Sequence, residues 1–149
     1  MNSVTIQKFR IQNISYNFYP QKKREQDDTL KLSQENKVSL EMKENKENEK
    51  VFIVLSNINI DVTIPSLDTD EKEPIRDFSI QTLHEIEAEQ ELSEDEKEWI
   101  LLFILGKINS LVEQYTGNDS LPQLSIRQSF EERYQDFKNK IGTKLNING

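Results

Sequence analysis

The hydrophobic and polar positions of the chain alternate in four segments that predict β-strands. In residues 30–42, 51–64 and 77–89, most apolar residues fall on even positions. Because successive strand residues face opposite sides of a sheet, one parity marks one buried face. Alternation with one polar face is typical of antiparallel strands, so we predict a four-stranded antiparallel sheet.

The first segment, residues 4–18, differs from the others because its apolar residues change parity twice, near Lys8 and near Asn13. In order, these residues are Val4, Ile6, Phe9, Ile11, Ile14, Tyr16 and Phe18. An extra residue in a strand moves the following side chains to the other face. The pattern therefore predicts two bulges, or a long bent strand that serves two surfaces.

A long helix is predicted from Ser93 to about Tyr115. Ser93 and Glu96 have the spacing of a capping box, and Gly117 provides a stop signal. The sequence WILLFILG makes the first half of this helix apolar on nearly every side, which is typical of a helix buried all round. Because one sheet covers only one side, we expect a partner subunit on the other. The candidate interface residues are Trp99, Leu102, Phe103 and Leu105.

A short helix is predicted over residues 129–140, where Phe130, Tyr134 and Phe137 recur at helical spacing. The remaining residues, 142–149, are predicted to form a flexible C-terminal tail. No repeat or long linker divides the chain, so residues 1–141 are predicted to form a single α+β domain: the four-stranded antiparallel sheet, the long buried helix and the short C-terminal helix.

Charge and composition restrict the partners. The 149 residues carry a formal net charge of −8, and the one basic cluster, Lys22-Lys23-Arg24, is followed directly by acidic residues. Nucleic acid is therefore not expected as a partner, because phosphate binding needs clustered cations. The cluster is interpreted as a solvated loop.

The chain contains no cysteine, and no signal peptide is visible at its start. The longest apolar run, residues 99–105, is far short of the roughly 20 residues that span a bilayer. We therefore predict a cytoplasmic protein without membrane insertion.

Residues with catalytic or metal-binding chemistry are sparse. His84, the single histidine, shares the apolar parity of its strand and is interpreted as a packed or interfacial residue. The acidic loop, residues 65–74, lacks the central glycine and terminal glutamate of an EF-hand and is interpreted as a solvated turn. No phosphate loop, nucleophile elbow or paired-carboxylate motif is present. We expect no catalysis, no cofactor and no metal.

Three blocks of sequence resemble the SecB-type export chaperones. IQKFRIQNISYNFYP (residues 6–20) resembles their first strand, FSIQTLHEIEAE (residues 78–89) their fourth, and LPQLSIRQSFEERY (residues 121–134) the segment joining their two helices. The order and spacing of the blocks match over about residues 4–134. The long helix departs from the family's Phe-Pro-Tyr-Ala-Arg-like stretch, because residues 103–107 read FILGK without the proline.

This resemblance implies an ATP-independent cytosolic holdase that binds unfolded or precursor polypeptides in apolar surface grooves. It also implies a homo-oligomer, dimer or tetramer, and transfer of cargo to the SecA translocation ATPase. The candidate peptide-binding residues are Phe9, Tyr16, Phe18 and Tyr19. Phe9 and Tyr16 could equally fill the core or an oligomer interface, which leaves Phe18 and Tyr19 as the stronger candidates.

The positions that match the family's acidic docking residues for SecA are uncharged here. They are Asn13, Asn17 and Gln81, whereas Glu85, Glu87 and Glu89 provide a displaced candidate acidic docking face. This departure leaves a second hypothesis open: a dedicated adaptor, or an antitoxin-associated chaperone, with one cognate partner. A small enzyme or ligand-binding domain is disfavoured, because no polar residues converge.

Overall fold

A computed structural model describes residues 2–20, 32–66, 71–117 and 122–148. The basic cluster at residues 22–24 lies outside these ranges, as does the middle of the acidic loop, residues 67–70. The elements are β1 (Asn2–Phe18), β2 (Ser33–Asn45), β3 (Asn48–Pro65), β4 (Lys72–Ala88), α1 (Glu94–Thr116), a 3₁₀ turn (Arg127–Ser129), α2 (Glu131–Ile141) and β5 (Leu145–Asn148).

The five strands form one mixed sheet in the order β2-β3-β4-β1-β5. The turn between β2 and β3 is only two residues long, which requires antiparallel strands. β5 lies parallel to β1, with Asn2 opposite Leu145 and Thr5 opposite Asn148. The α+β class is confirmed, but the prediction of four antiparallel strands is wrong by one strand.

The additional strand lies within residues 142–149, which the sequence predicts to be a flexible tail. Its alternation of Leu145 and Ile147 with two asparagines is too short to be recognised as a strand pattern. Contact with β1 decides the conformation, since Leu145 is buried at the start of β5.

The described residues divide into two compact units. Unit 1 comprises Met1–Phe9, Met42–Val54 and His84–Gly149, and unit 2 comprises Arg10–Glu41 and Leu55–Leu83. The prediction of a single domain stays a prediction, and each unit is described by itself below.

The core of unit 2 is formed by the even positions of β3 and β4. Ile58 and Ile60 are fully buried on β3, and Phe78 and Ile80 are buried on β4. The predicted apolar faces are therefore confirmed for these two strands. A hydrogen bond between the buried hydroxyls of Ser56 and Thr82 satisfies two polar groups within this core.

The start of α1, in unit 1, has the predicted cap. The Ser93 hydroxyl accepts a hydrogen bond from the Glu96 N–H at 3.1 Å, and the Glu96 carboxylate accepts one from the Ser93 N–H at 3.0 Å. The backbone N–H groups of Ser93 and Glu96, which have no carbonyl partner within the helix, are both hydrogen-bonded in this way. The capping-box prediction is therefore confirmed.

The apolar surface of α1 is covered in part by α2. The rings of Trp99 and Tyr134 lie 5.1 Å apart between centroids, and Trp99, Leu102 and Leu105 are each at most 7% exposed within the chain. The expectation of a partner subunit assumed that only the sheet covers this helix. Phe103 retains more exposed surface than the other three candidates, and the interface itself stays a prediction.

Two buried polar residues of α1 hold the segment that leads to α2. The Asn109 side-chain oxygen accepts a hydrogen bond from the Ile126 N–H at 2.7 Å. The Thr116 hydroxyl accepts one from the Leu124 N–H at 2.8 Å and donates to the Val112 carbonyl at 2.7 Å. These bonds set the path of the loop and therefore the position of α2 in unit 1.

The parity changes of β1 agree with its residue count, because β1 has more residues than the stretch of β4 that lies beside it in the sheet. The Glu89 N–H donates to the Ser3 carbonyl and the Tyr19 N–H to the Ile75 carbonyl, both at 2.9 Å. Between these two bonds β1 has two residues more than β4, the number that two single-residue bulges would add. Two added residues agree with the contacts of β1, since Phe9 packs on His84 and Tyr16 on Phe78 although Phe9 is at an odd position and Tyr16 at an even one.

Candidate polypeptide-binding surfaces

Three of the four predicted peptide-binding residues lie in unit 2. Tyr16 packs against Phe18 with the ring centroids 4.5 Å apart, and its ring meets Phe78 edge-on at 5.7 Å. The Tyr16 hydroxyl accepts a hydrogen bond of 2.9 Å from the buried Arg76. Tyr16 is therefore partly a core residue, whereas Phe18 remains 52% exposed.

Tyr19 and Asn17 meet at one carboxylate in unit 2. The Tyr19 hydroxyl donates a hydrogen bond to Asp77, and the Asn17 amide donates to the other oxygen of Asp77 at 2.9 Å. The bond to Asp77 raises the pKa of the Tyr19 hydroxyl, because the phenolate would lose that bond and face the aspartate charge. Tyr19 is thus fixed by a polar contact while 37% of its surface stays exposed.

Phe9, the fourth predicted residue, lies in unit 1 at an open apolar cavity of about 360 Å³. Its ring lies 5.1 Å from that of His84, and 46% of its surface is exposed. The cavity lies between the start of β1, the end of β4 and the middle of α1. Its lining residues are Ile6, Gln7, Phe9, His84, Lys107, Ile108 and Leu111.

His84 is only 2% exposed, which agrees with its interpretation as a packed residue. Burial, together with the Lys107 ammonium, lowers the pKa of His84 from 6.5 to about 4. The imidazole is therefore neutral at physiological pH. A neutral ring adds no second positive charge to the cavity lining beside Lys107.

The sequence did not reveal Ile6, Ile108 or Leu111 as members of this surface. Their apolar character is visible, but it is equally typical of core residues. Only the packing of α1 beside β1 within unit 1 leaves them at an open cavity. Lys107, which also lies 5.2 Å over the Phe103 ring, contributes a positive charge at the rim.

Two residues of the candidate acidic face, Glu85 and Glu87, lie at odd positions near the end of β4 in unit 1, and Glu89 directly follows the strand. Glu85 is 3.7 Å from the Lys8 ammonium, and Glu87 accepts a hydrogen bond from Gln7. Part of the negative charge on this face is therefore paired with β1. A role for Glu85, Glu87 and Glu89 in partner docking stays a prediction.

Within the described ranges, no group of three or more His, Cys, Asp or Glu residues is arranged to hold a metal ion. The same ranges contain no helix with the length and apolar character needed to cross a bilayer.

No protein-family model matches the chain, and no curated protein matches it in sequence. A solved structure does match it: the Mycobacterium tuberculosis SecB-like chaperone Rv1957 in complex with a ChAD peptide from the HigA1 antitoxin. The match has a TM-score of 0.57 at 14% identity and covers 83% of this chain and 88% of that chain. The fold is SecB-like.

A Streptococcus agalactiae protein of unknown function also matches, with a TM-score of 0.45 and 16% identity, over 85% of this chain and 98% of that chain. The SecB-like fold agrees with the sequence resemblance in its strands and two helices. At 14% identity the likeness concerns the fold alone.

Proposed function

We propose that the protein is a non-catalytic, ATP-independent chaperone that binds non-native or precursor polypeptides at apolar surfaces. The observation that carries this proposal is the open apolar cavity in unit 1, with the half-exposed Phe9 at its edge, on a SecB-like fold. Phe18 and Tyr19 provide a second exposed aromatic surface in unit 2.

Binding at such surfaces is driven by burial of apolar side chains, at roughly 25 cal/mol per Å² removed from water. It requires neither a nucleotide nor a cofactor. The net charge of −8 favours solubility of the chaperone with its bound, aggregation-prone client. In this proposal the protein is cytoplasmic and works as a dimer or tetramer.

The proposal is tested by aggregation assays with several unrelated unfolded proteins at stoichiometric amounts of chaperone. The wild type is expected to suppress aggregation of most of them, and Phe9→Ser and Phe18→Ser to suppress it less. Tyr115→Ser is the matched control, because Tyr115 is 47% exposed but lies outside both candidate surfaces. Failure of the wild type on all clients would overturn the general-chaperone proposal.

A dedicated adaptor with one cognate polypeptide is the second candidate. The structural neighbour was solved with a peptide from an antitoxin, and the positions matching the SecA-docking acids are uncharged. This candidate is favoured if affinity purification from the native host recovers one protein in stoichiometric amount while the aggregation assays fail. Direct titration with a SecA-type ATPase tests that partnership, which belongs to the first candidate.

A further inference from the structure

A second open cavity of unit 1 lies between α1 and α2, beside the 3₁₀ turn that precedes α2. It has a volume of about 360 Å³, and we call it the α1–α2 groove. Phe103 of α1 lines it, together with Phe130 and Tyr134 at the start of α2. Phe103 and Tyr134 are only half-buried. Such rings provide a surface on which an aromatic side chain of another polypeptide packs.

The charge of the α1–α2 groove differs from that of the whole chain. Lys107 of α1 and Arg127 of the 3₁₀ turn line the groove, and Glu131 is the carboxylate among the described lining residues. The Lys107 ammonium lies 5.2 Å over the Phe103 ring. The whole chain carries a net charge of −8. Two cations beside aromatic walls therefore set this groove apart from the average surface.

A hydrogen-bonded network holds Arg127 in place. Its backbone N–H donates to the Ser125 hydroxyl at 3.2 Å, and that hydroxyl donates to the Glu113 carboxylate at 3.1 Å. Glu113 also accepts a hydrogen bond of 3.0 Å from the buried Asn109 and lies 3.8 Å from the Arg127 guanidinium. The Arg127 side chain remains 57% exposed. Because a guanidinium has five N–H donors, the pair with Glu113 leaves donors for a further carboxylate.

A cavity at the start of α1, also in unit 1, has the opposite charge. Its lining residues include four carboxylates and one cation: Glu44, Glu94, Asp95, Glu98 and Lys97. The Lys97 ammonium lies 3.3 Å from Glu94 and 3.8 Å from Glu44. The helix thus has an acid-lined cavity near its start and a cation-lined groove near its middle. Polypeptide segments of opposite charge are therefore expected to prefer different ends of α1.

We propose that Lys107 and Arg127 make the α1–α2 groove select polypeptide segments in which an aromatic side chain is adjacent to a glutamate or an aspartate. The aromatic side chain packs on Phe103 and Tyr134, and the carboxylate meets the ammonium or the guanidinium. This inference rests on the proposed function, because it specifies which segments the chaperone binds at this groove. Since charge pairs at exposed sites are weak, each cation is expected to change the affinity by about two- to fivefold.

The net negative charge of the chain opposes an acidic segment only at long range. At an ionic strength of about 0.15 M, interactions between exposed charges are largely screened beyond about 8 Å. Lys107 and Arg127 line the groove itself, so a bound carboxylate lies closer to them than this distance. Binding is therefore compared at that ionic strength.

The test measures fluorescence anisotropy with two labelled peptides, which carry phenylalanine-glutamate or phenylalanine-glutamine pairs in the same glycine-serine background. Glutamine has nearly the shape of glutamate, so the two peptides differ mainly in charge. The wild type is expected to bind the glutamate peptide about fivefold more tightly. Equal affinity for the two peptides, or no binding of either, would overturn the proposal.

The protein variants are Arg127→Gln and Lys107→Gln, with Lys97→Gln as the matched control. Each of the first two is expected to reduce the preference for glutamate by about two- to threefold. Lys97 is a lysine of the same helix but lines the acid-lined cavity, so Lys97→Gln is expected to leave the preference unchanged. Lys107 also lines the cavity at Phe9, whereas Arg127 does not, so Arg127→Gln decides the location. An unchanged preference in Arg127→Gln, or an equal loss in Lys97→Gln, would overturn it.

The aggregation assay separates this inference from the proposed function. Intact suppression of aggregation with equal affinity for the two peptides would contradict the acidic selectivity alone. A clear glutamate preference without any suppression would contradict the general-chaperone function and leave the selectivity standing. Native mass spectrometry tests whether a second copy of the chain occupies the groove. If Arg127→Gln changes the number of chains in an oligomer and leaves the peptide preference unchanged, the groove is a subunit contact and the proposal is overturned.

Discussion

At the scale of single residues, His84 links burial to stability. Its pKa falls from 6.5 in the unfolded chain to about 4 in the folded protein, so the unfolded chain takes up the proton first as the pH decreases. The contribution of His84 to the free energy of unfolding is therefore fully present above about pH 6.5, where the ring is neutral in both states. It is lost as the pH falls towards 4, because only the unfolded chain is then protonated. Its full size is about 3 kcal/mol.

We expect the free energy of unfolding of the wild type to fall more steeply between pH 6.5 and 4 than that of His84→Leu. Carboxylates titrate in both proteins, so the difference between the two curves isolates His84. Urea denaturation at four pH values across this interval measures it. Parallel curves would show that the imidazole is already protonated, or equally solvated, in the folded protein.

Asn109 is the second residue with a specific prediction. It is 2% exposed and accepts the hydrogen bond from the buried Ile126 N–H at 2.7 Å. Asn109→Ala leaves that donor without this partner, and we expect a loss of about 1–3 kcal/mol in urea denaturation.

Ser110→Ala is the matched control for Asn109, because Ser110 is the next residue of α1 and is exposed. Among the described residues, its hydroxyl donates only to the Gly106 carbonyl of its own helix, at 3.2 Å. We expect a change within about 0.5 kcal/mol. Alanine favours a helix more than serine or asparagine does, so helix propensity cannot cause a loss in either variant. An equal loss for Ser110→Ala would show that the contact with the loop is not the cause.

At the scale of elements, α1 contains a glycine whose small size the structure does not require. A Cβ at Gly106 would meet the Tyr134 ring at 3.7 Å, an ordinary contact. Because glycine costs a helix interior about 0.5–1 kcal/mol relative to alanine, Gly106→Ala is expected to stabilise the protein by that amount. Thermal and urea denaturation measure the gain.

Gly142→Ala provides the contrast at the end of α2. A Cβ there would lie 2.4 Å from the backbone oxygen of Lys138, which cannot move without disturbing the helix end. This variant is expected to be destabilised. A loss of stability in Gly106→Ala as well would mean that α1 and α2 pack more closely than the structure shows.

At the scale of the whole molecule, the oligomeric state is the open prediction. The buried surfaces of Trp99, Leu102 and Leu105 no longer require a partner, but Phe9 and Phe18 each remain about half exposed at the two candidate surfaces. Contiguous exposed apolar surface favours association or ligand binding. We expect native mass spectrometry to give the mass of two or four chains, and a strict monomer would contradict the sequence-based prediction.

Much of the fold could be predicted because the relevant signals are local. The even parity of β3 and β4 follows from the two-residue repeat of a strand, and the start of α1 follows from Ser93 and Glu96. The parity changes of β1 predicted bulges, because an inserted residue turns the side chains that follow it to the opposite face. Of the candidate site, only Phe9 and the aromatic cluster near Tyr16 could be named from the sequence.

The amino-acid pattern was sufficient for the buried faces of β3 and β4, the cap of α1 and the order of the first four strands and the two helices, because periodicity and capping act over a few residues. It was not sufficient for β2, where Leu32 and Val38 of the predicted apolar face are exposed. Tertiary packing was needed to show that β5 joins the sheet, that α2 covers Trp99 and that Ile6 meets Ile108 and Leu111 at one cavity. These contacts join residues far apart in the chain. The hydrophobicity of a residue indicates that its side chain is buried, but only the tertiary packing determines which residues contact that side chain.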